Sequence, residues 1–389
     1  MIDLLVISTA SVTAINRNIY IEIKNRGWNV EMVIPTTYSL ANAGVIKSQP
    51  QRPQDPTINF LELSGSNPRT FYFSSIEKLF ENTKVFAVLI ESDPVSRMAV
   101  HLADLSVRYN FFLFSLSCEN LPFDLIPTLK RRGIGSIPSS LIKLFFYWRA
   151  KKRINTVFTI NNDGTDIFRK KGYNRVIKTP LGFDSEVFFK NEDARNKIRI
   201  KLRAAYPVIA YFGRLVEEKG VHLLLEALER IKHLNWHFML DKFNQGTSSY
   251  NQYIQRLIES YDLQDRILFV EADHYEIADY MNAADVVVIP SITTTKWKEQ
   301  YGRVAPEAMA CGKLVVASCA GALPELIEDG GVIFKEGDVG QLAMILTDYL
   351  RNPVDYTPIQ EIALTRAQQQ LSIKKQADIY TDRLKELKF

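Results

Sequence analysis

The segment Phe212-Gly213-Arg214-Leu215-Val216-Glu217-Glu218-Lys219-Gly220 follows a β-branched run at 208–212 and leads into a helical pattern that starts at Val221. Gly213 permits a tight backbone turn there, and Arg214 and Lys219 flank a loop that opens onto a helix N-terminus. Two cations beside that partial positive charge suit a diphosphate. An ordinary strand-to-helix loop with exposed basic residues fits the same letters. A second segment is more specific. Pro290-Ser291 ends a strand-like run, and Lys298-Glu299-Gln300-Tyr301-Gly302-Arg303-Val304-Ala305-Pro306-Glu307-Ala308-Met309-Ala310-Cys311-Gly312 follows. Pro306 suits a first helical turn and Gly312 a C-terminal stop. Glu307 therefore falls in the first turn, while Glu299 falls on the loop before it. Backbone N–H groups at Gly302, Arg303 and Val304 can meet a phosphate, leaving the two carboxylates to accept from hydroxyls. A carboxylate takes both hydroxyls of a vicinal diol, the arrangement a ribose or hexose presents.

Holding these groups in place requires strands that end beside them. Strand-like runs occur at 4–7, 30–34, 85–90, 111–116, 157–160 and 176–179, and again at 208–212, 236–240, 267–270, 286–289, 314–317 and 332–334. Helical spacing lies between them; at 221–231, Leu224, Leu225, Leu228 and Ile231 share one face. Near-continuous apolar strands alternating with helices predict parallel sheets covered on both sides. Twelve strands are too many for one such sheet and divide into two series of six. The break falls after the turn Pro180-Leu181-Gly182-Phe183-Asp184, with a hinge at 183–189 and a charge-rich helix at 190–203. In open parallel sheets ligands bind beyond the carboxyl ends of the strands, which is where both segments lie.

Composition narrows the function further. Lys plus Arg number 48 against 44 Asp plus Glu, a net charge of +4, which excludes a polycationic nucleic-acid wrapper and a disordered acidic protein. No apolar run approaches the roughly 20 residues of a membrane span. The start of the chain lacks the basic segment and long apolar core of a secretory signal. Cys118, Cys311 and Cys319 show no metal-ligand spacing and argue for a reducing compartment, so the expected location is the cytoplasm. Neither series of strands opens with Gly-x-Gly-x-x-Gly, which argues against a nicotinamide dehydrogenase.

From about residue 176 to 335 the chain resembles glycosyltransferase family 4, retaining sugar-nucleotide enzymes of the GT-B fold. The matching residues are Phe212-Gly213-Arg214-Leu215 with Lys219-Gly220, Ala284-Asp285 leading to Pro290-Ser291, Glu299, Glu307-Ala308-Met309-Ala310-Cys311-Gly312, and Gly321 to Pro324-Glu325. The turn at 180–184 is similar to the family's pre-hinge turn. The resemblance implies two Rossmann-like, doubly wound parallel-sheet domains facing a central cleft. Residues 1–183 would form the acceptor domain and 184–369 the donor domain, with a helix at about 370–389 packing back on the first. It implies that Arg214 and Lys219 hold the donor diphosphate, Glu307 the ribose hydroxyls and Glu299 those of the transferred hexose. Gly213 would shape the phosphate loop, and Gly302, Arg303 and Val304 would contact sugar and phosphate. The donor would be a UDP- or GDP-sugar, the acceptor a glycan or lipid-linked hydroxyl, and no metal or other cofactor would be needed.

The chain departs from the family pattern in several places. Ser8-Thr9-Ala10-Ser11-Val12-Thr13 replaces a glycine pair in the first strand-to-helix loop, Asp241-Lys242-Phe243-Asn244 a glycine-rich turn, and Glu271-Ala272-Asp273-His274 a usual glycine. Where a histidine often stands, this chain has Ser117-Cys118-Glu119-Asn120. Thr13, Glu119 and Asn120 are the candidates for the acceptor or sugar side, although a cap or loop hydrogen bond also accounts for Glu119 and Asn120. In Glu91-Ser92-Asp93-Pro94, Ser92 or Asp93 is placed to cap the next helix. No acidic residue lies between Asp124 and Asp163, whereas Lys130, Arg131, Arg132, Lys143, Arg149, Lys151, Lys152 and Arg153 do. With Leu141-Ile142-Lys143-Leu144-Phe145-Phe146-Tyr147-Trp148 among them, residues 130–153 fit either an anionic membrane surface or a core helix with a solvated basic face. Alternatives to transfer are a sugar-nucleotide-binding protein without turnover and a GT-B epimerase or phosphorylase.

Overall fold

The computed structural model describes residues 1–40, 44–65, 67–241, 249–272 and 276–388. The sequence departures at 242–244 and 273–274 lie outside the described residues. The chain divides into two units, Met1–Gly182 with Ile373–Phe389, and Phe183–Ser372.

The strands of the first unit are β1 (Ile2–Ile7), β2 (Val30–Pro35), β3 (Thr37–Leu40), β4 (Gly44–Lys47), β5 (Thr57–Leu61), β6 (Leu63–Ser64), β7 (Tyr72–Phe73), β8 (Val85–Ile90), β9 (Phe112–Ser117), β10 (Ile154–Thr159) and β11 (Val176–Lys178). Seven of them form one parallel sheet in the order β11-β10-β9-β8-β1-β2-β5, while β3–β4 and β6–β7 are antiparallel pairs. The expected series of six thus gains β5, paired to β2 with Glu31 opposite Thr57. This edge strand is only half covered, so Thr57-Ile58-Asn59-Phe60-Leu61 lacks the continuous apolar signature of a central strand. The helices are α1 (Asn18–Asn25), α2 (Glu77–Asn82), α3 (Arg97–Tyr109), α4 (Leu125–Arg132), α5 (Ile137–Ala150) and α6 (Asn162–Lys170). Ser96 caps α3, accepting from the Ala99 N–H at 3.2 Å. This corrects the expected cap at Ser92 or Asp93: Ser92 donates to Ser96, and Asp93 accepts from Ser117 on β9 instead.

The second unit contains β12 (Val208–Tyr211), β13 (His237–Asp241), β14 (Ile267–Val270), β15 (Val286–Ile289), β16 (Leu314–Ser318) and β17 (Val332–Phe334), all parallel, in the order β14-β13-β12-β15-β16-β17. Its helices are α7 (Glu192–Leu202), α8 (Val221–Arg230), α9 (Ser249–Ser260), α10 (Ile277–Ala283), α11 (Val304–Ala310), α12 (Leu323–Ile327), α13 (Val339–Arg351) and α14 (Thr357–Gln370). Every residue of β12, β15 and β16 is buried, as expected for strands covered on both faces. Leu224, Leu225 and Leu228 of α8 are fully buried against this sheet. Asp285, at the head of β15, accepts from Arg195 and Arg199 of α7 and from the Val208 N–H, tying α7 to two central strands.

In each sheet the strand order reverses once, between β1 and β8 in the first unit and between β12 and β15 in the second. Loops leaving the carboxyl ends of those two strands splay apart, one helix going to each face, and leave a crevice. The segments 213–220 and 290–299 leave from the two strands at the second reversal.

The last helix, α15 (Ile373–Lys388), belongs to the first unit. It packs on α1 and buries Ala377, Tyr380 and Leu384. The Tyr380 ring meets Phe158 of β10 at 4.7 Å, and Asp378 pairs with Arg26 at 2.6 Å. The two ends of the second unit are stitched together, with the Phe183 N–H donating to the Leu371 carbonyl at 3.0 Å and Phe183 bridging Ser372.

Candidate functional site

At the reversal point of the second sheet, Gly213 carries the chain off β12 and the Tyr211 hydroxyl donates to the Arg214 carbonyl at 2.7 Å, closing the loop on itself. The Arg214 side chain is exposed and has no hydrogen-bond or ion-pair partner among the described residues. A single 3-10 turn, Glu217–Lys219, then delivers Lys219, and Gly220 starts α8. Gly220 has φ +69°, and a Cβ there would sit 1.9 Å from the Pro290 carbonyl oxygen. Only a glycine lets the two loops approach this closely. The Ile292 N–H donates to the Glu218 carbonyl at 2.8 Å across the same seam.

Across this seam the Lys219 ammonium lies 2.5 Å from Oε2 of Glu299, and the Ser291 hydroxyl donates to the same oxygen at 3.0 Å. Lys219 also lies 5.2 Å from the centre of the Trp297 ring. The Glu299 residue is 6% exposed. Its backbone is held by Gly321, which has φ +55° and whose Cβ, if present, would lie 2.0 Å from the Glu299 carbonyl oxygen; that oxygen accepts from the Ala322 N–H at 3.1 Å. Ser291 is fixed in turn, because its carbonyl accepts from the Ser318 hydroxyl at 2.5 Å. The cluster is therefore anchored from β12, β15 and β16 at once. A buried carboxylate that accepts from an ammonium and a hydroxyl through one oxygen is held by charge-assisted hydrogen bonds in a fixed position.

Gly302 and Arg303 lead from Glu299 into α11, which begins at Val304, so Glu307 falls in the first turn. Glu307 is half-buried, and its carboxyl has no hydrogen-bond partner among the described residues. Burial pushes its pKa up to about 7, against an opposing pull from Arg303. Such a carboxyl sits close to its titration point at neutral pH.

The resemblance implies Lys219 on a phosphate and Glu299 on a sugar; in the structure the two are paired to each other. Sequence reasoning gave no role to Ser291 or Trp297. The Pro290-Ser291 strand end was the signal for the first, and an aromatic two residues before Glu299 the only one for the second.

The first unit has its own pocket, of about 200 Å³, at the reversal between β1 and β8. Thr9, Arg69, Glu91, Asp93 and Cys118 are among its lining residues. The loop at 8–13, which lacks the family's glycines, is held by side chains: the hydroxyls of Ser8 and Tyr20 both donate to Glu91. Thr13 links two short 3-10 turns and is not among the lining residues, where Thr9 stands instead. Glu119 pairs with Lys143 at 3.1 Å and accepts from the Leu121 N–H at 3.3 Å, and Asn120 is buried. Burial, then the nearby Glu119 charge, raises the pKa of Asp93. Among the described residues no group of His, Cys, Asp and Glu could hold a metal ion, and no helix is long and apolar enough to cross a membrane.

The family model described as "Glycosyl transferases group 1" matches residues 192–366. D-inositol 3-phosphate glycosyltransferase of Mycobacterium ulcerans (strain Agy99) is 29% identical over 174 residues, which is 44% of this chain and 36% of that protein. The match thus spans little more than a third of the relative's length. Two solved structures align over almost the whole chain. Sucrose-phosphate synthase from Thermosynechococcus elongatus has a TM-score of 0.73 at 21% identity, covering 99% of this chain and 98% of its own. Anabaena HepE in complex with UDP and glucose also has a TM-score of 0.73, at 19% identity, covering 99% and 100%. At such identities the likeness concerns the fold, which is GT-B, with two Rossmann-like parallel-sheet units. Within that fold, residues 192–366, less than half of the chain, are similar to the family of glycosyl transferases group 1.

Proposed function

We propose that this protein transfers a hexose from a nucleoside-diphosphate sugar to a hydroxyl of a glycan or lipid-linked acceptor, retaining the anomeric configuration. The carrying observation is the Lys219–Glu299–Ser291 cluster at the reversal point of the second sheet, with Arg214 exposed beside it and Glu307 one helical turn beyond. The family match over 192–366 and the UDP and glucose bound by the Anabaena protein support it. In this reading the diphosphate draws Lys219 away from Glu299 and takes Arg214 as its second cation. Glu299 then turns its charge to the hexose hydroxyls, and Glu307 accepts from the ribose diol. Gly213 lets the loop close under the phosphates, and the backbone at Gly302, Arg303 and Val304 adds donors. As the glycosidic bond breaks, negative charge grows on the leaving diphosphate, and the two cations aimed at it stabilise the transition state more than the ground state. They supply the charge a divalent metal would otherwise bring, so the proposed reaction is metal-independent. With retention, the acceptor enters on the face that the phosphate leaves, and a phosphate oxygen can take its proton. The proposed setting is the cytoplasm, with residues 130–153 of the first unit meeting an anionic membrane surface.

A thermal-shift series with UDP-, GDP- and ADP-hexoses tests the donor. A donor held by the folded state alone raises the melting temperature, by about 2.7 kcal/mol of added stability at a hundredfold excess over Kd. NMR of the product anomer should show retention. No shift with any nucleotide sugar, or an inverted product, overturns the proposal, and epimerised sugar from donor alone identifies an epimerase instead.

Glu307 makes donor binding pH-dependent. Its pKa in the fold, about 7, stands above the ordinary 4.5, so between these values the folded chain holds a proton that the unfolded chain releases. Stability from this group therefore falls as pH rises through that window. Donor affinity runs the other way, because only the ionised carboxylate accepts fully with both oxygens. Kd for the donor, measured by calorimetry, is expected to tighten from about pH 6 to about pH 8, and Glu307→Gln to weaken binding about 10-fold and flatten the dependence.

A further inference from the structure

The helix α5 turns several of its largest apolar side chains away from the core. Its inward face carries Ser140, Lys143, Tyr147 and Ala150, satisfied by polar contacts: Ser140 donates to the Ser136 carbonyl at 3.0 Å, Lys143 pairs with Glu119, and the Tyr147 hydroxyl donates to the Lys171 carbonyl at 2.6 Å. The large apolar side chains point outward instead. Leu141 is 53% exposed, Ile142 49%, Phe145 58% and Trp148 72%. The preceding turn extends the patch: Gly133, with φ +73°, ends α4 and projects Ile134, which is 80% exposed, and Ile126 on α4 is 67% exposed. A solvated basic face on a core helix, which the sequence alone allowed, would turn these residues inward.

Charge identifies what covers them. Lys130, Arg132, Lys152 and Arg153 are exposed around this patch and have no ion-pair partner among the described residues; Arg149 pairs with the exposed Asp104. A patch of exposed Leu, Ile, Phe and Trp rimmed by unpaired cations matches a bilayer interface, where rings and aliphatic chains enter the acyl boundary and cations meet anionic head groups. Monomeric proteins rarely leave contiguous apolar patches beyond a few hundred Å² facing water.

We propose that α4, the turn at 133–136 and α5 form a docking face for an anionic lipid bilayer, with Ile134, Leu141, Ile142, Phe145 and Trp148 inserted and Lys130, Arg132, Lys152 and Arg153 on the head groups. This deepens the membrane partner named above by assigning its residues, and it links that surface to the first unit's pocket. Lys143 on the inward face holds Glu119, in the same loop as Cys118, which lines the pocket. A hydroxyl carried by a membrane lipid would be presented next to that loop.

The test uses the full chain and vesicles without any sugar donor, so its failure leaves the transfer reading standing. Sedimentation with vesicles of phosphatidylcholine containing phosphatidylglycerol is expected to show binding at least about 10-fold tighter than to phosphatidylcholine alone, lost in high salt. Combining Leu141→Ser, Phe145→Ser and Trp148→Ser should weaken binding by about 10-fold or more, with an unchanged circular-dichroism spectrum. If that variant fails to fold, Lys152→Glu with Arg153→Glu gives the second reading: loss of the preference for anionic vesicles. Brominated lipids should quench wild-type emission and leave Trp148→Phe largely unquenched. Absence of vesicle binding, equal binding by either variant, or a dimer in solution that buries Trp148 overturns the proposal.

Discussion

Replacing Lys219 by Met is expected to lower kcat by about 10²- to 10³-fold, the usual loss when one preorganised charge aimed at a leaving group is removed. Stability should fall as well, by about 1–3 kcal/mol, because Glu299 loses its cation while its side chain is 7% exposed. Adding Glu299→Gln separates the two effects. The double variant no longer buries a carboxylate that has lost its Lys219 cation and should recover most of the lost stability. It should recover none of the turnover, since both the phosphate cation and the sugar carboxylate are then gone. Thermal melts and steady-state kinetics on the three proteins provide the comparison. Unchanged turnover in Lys219→Met would remove Lys219 from the mechanism.

Gly220→Ala is expected to be among the most damaging small substitutions in the second unit. The new Cβ would fall 1.9 Å from the Pro290 carbonyl oxygen and 2.9 Å from its carbon, and main chain cannot swing aside as a long side chain can. The loops at 213–220 and 290–299 must separate, so the loss should reach about 3 kcal/mol or more, with Lys219 drawn off Glu299 and activity lost in proportion. Gly27→Ala is the control. Its φ is also positive, +87°, but no atom lies within 4 Å of the added carbon. There only the backbone cost of about 1 kcal/mol applies. Similar urea midpoints for the two variants would show that the seam yields, contrary to this reading.

The central strands were legible because both their faces are covered: Val208-Ile209-Ala210-Tyr211 and Leu314-Val315-Val316-Ala317 need no alternation, and their apolar runs stand out. The edge strand β5, half wet, carries Asn59 among its apolar residues and did not stand out. Within the site, residue types and loop positions could be read locally, but partners could not. Lys219 and Glu299 are 80 positions apart, and only the reversal of strand order between β12 and β15 brings them together. The protonation of Glu307 depends on burial by the fold and leaves no mark in the local letters. Orientation was equally hidden in α5. Apolar residues fall all around that helix, so periodicity allows several inward faces, and the contacts of Lys143 and Tyr147 decide among them.

The position of α15 sets an order of assembly. Residues 373–388 leave the ribosome after the whole of the second unit, yet Ala377, Tyr380 and Leu384 complete the core of the first. During synthesis the later-coded half, its ends joined by Phe183, Leu371 and Ser372, can reach its native state while the earlier half still waits for its last helix. Nascent chains should therefore expose the unfinished flank of α1 until α15 has emerged, and a chaperone that shelters this protein would be expected to bind there.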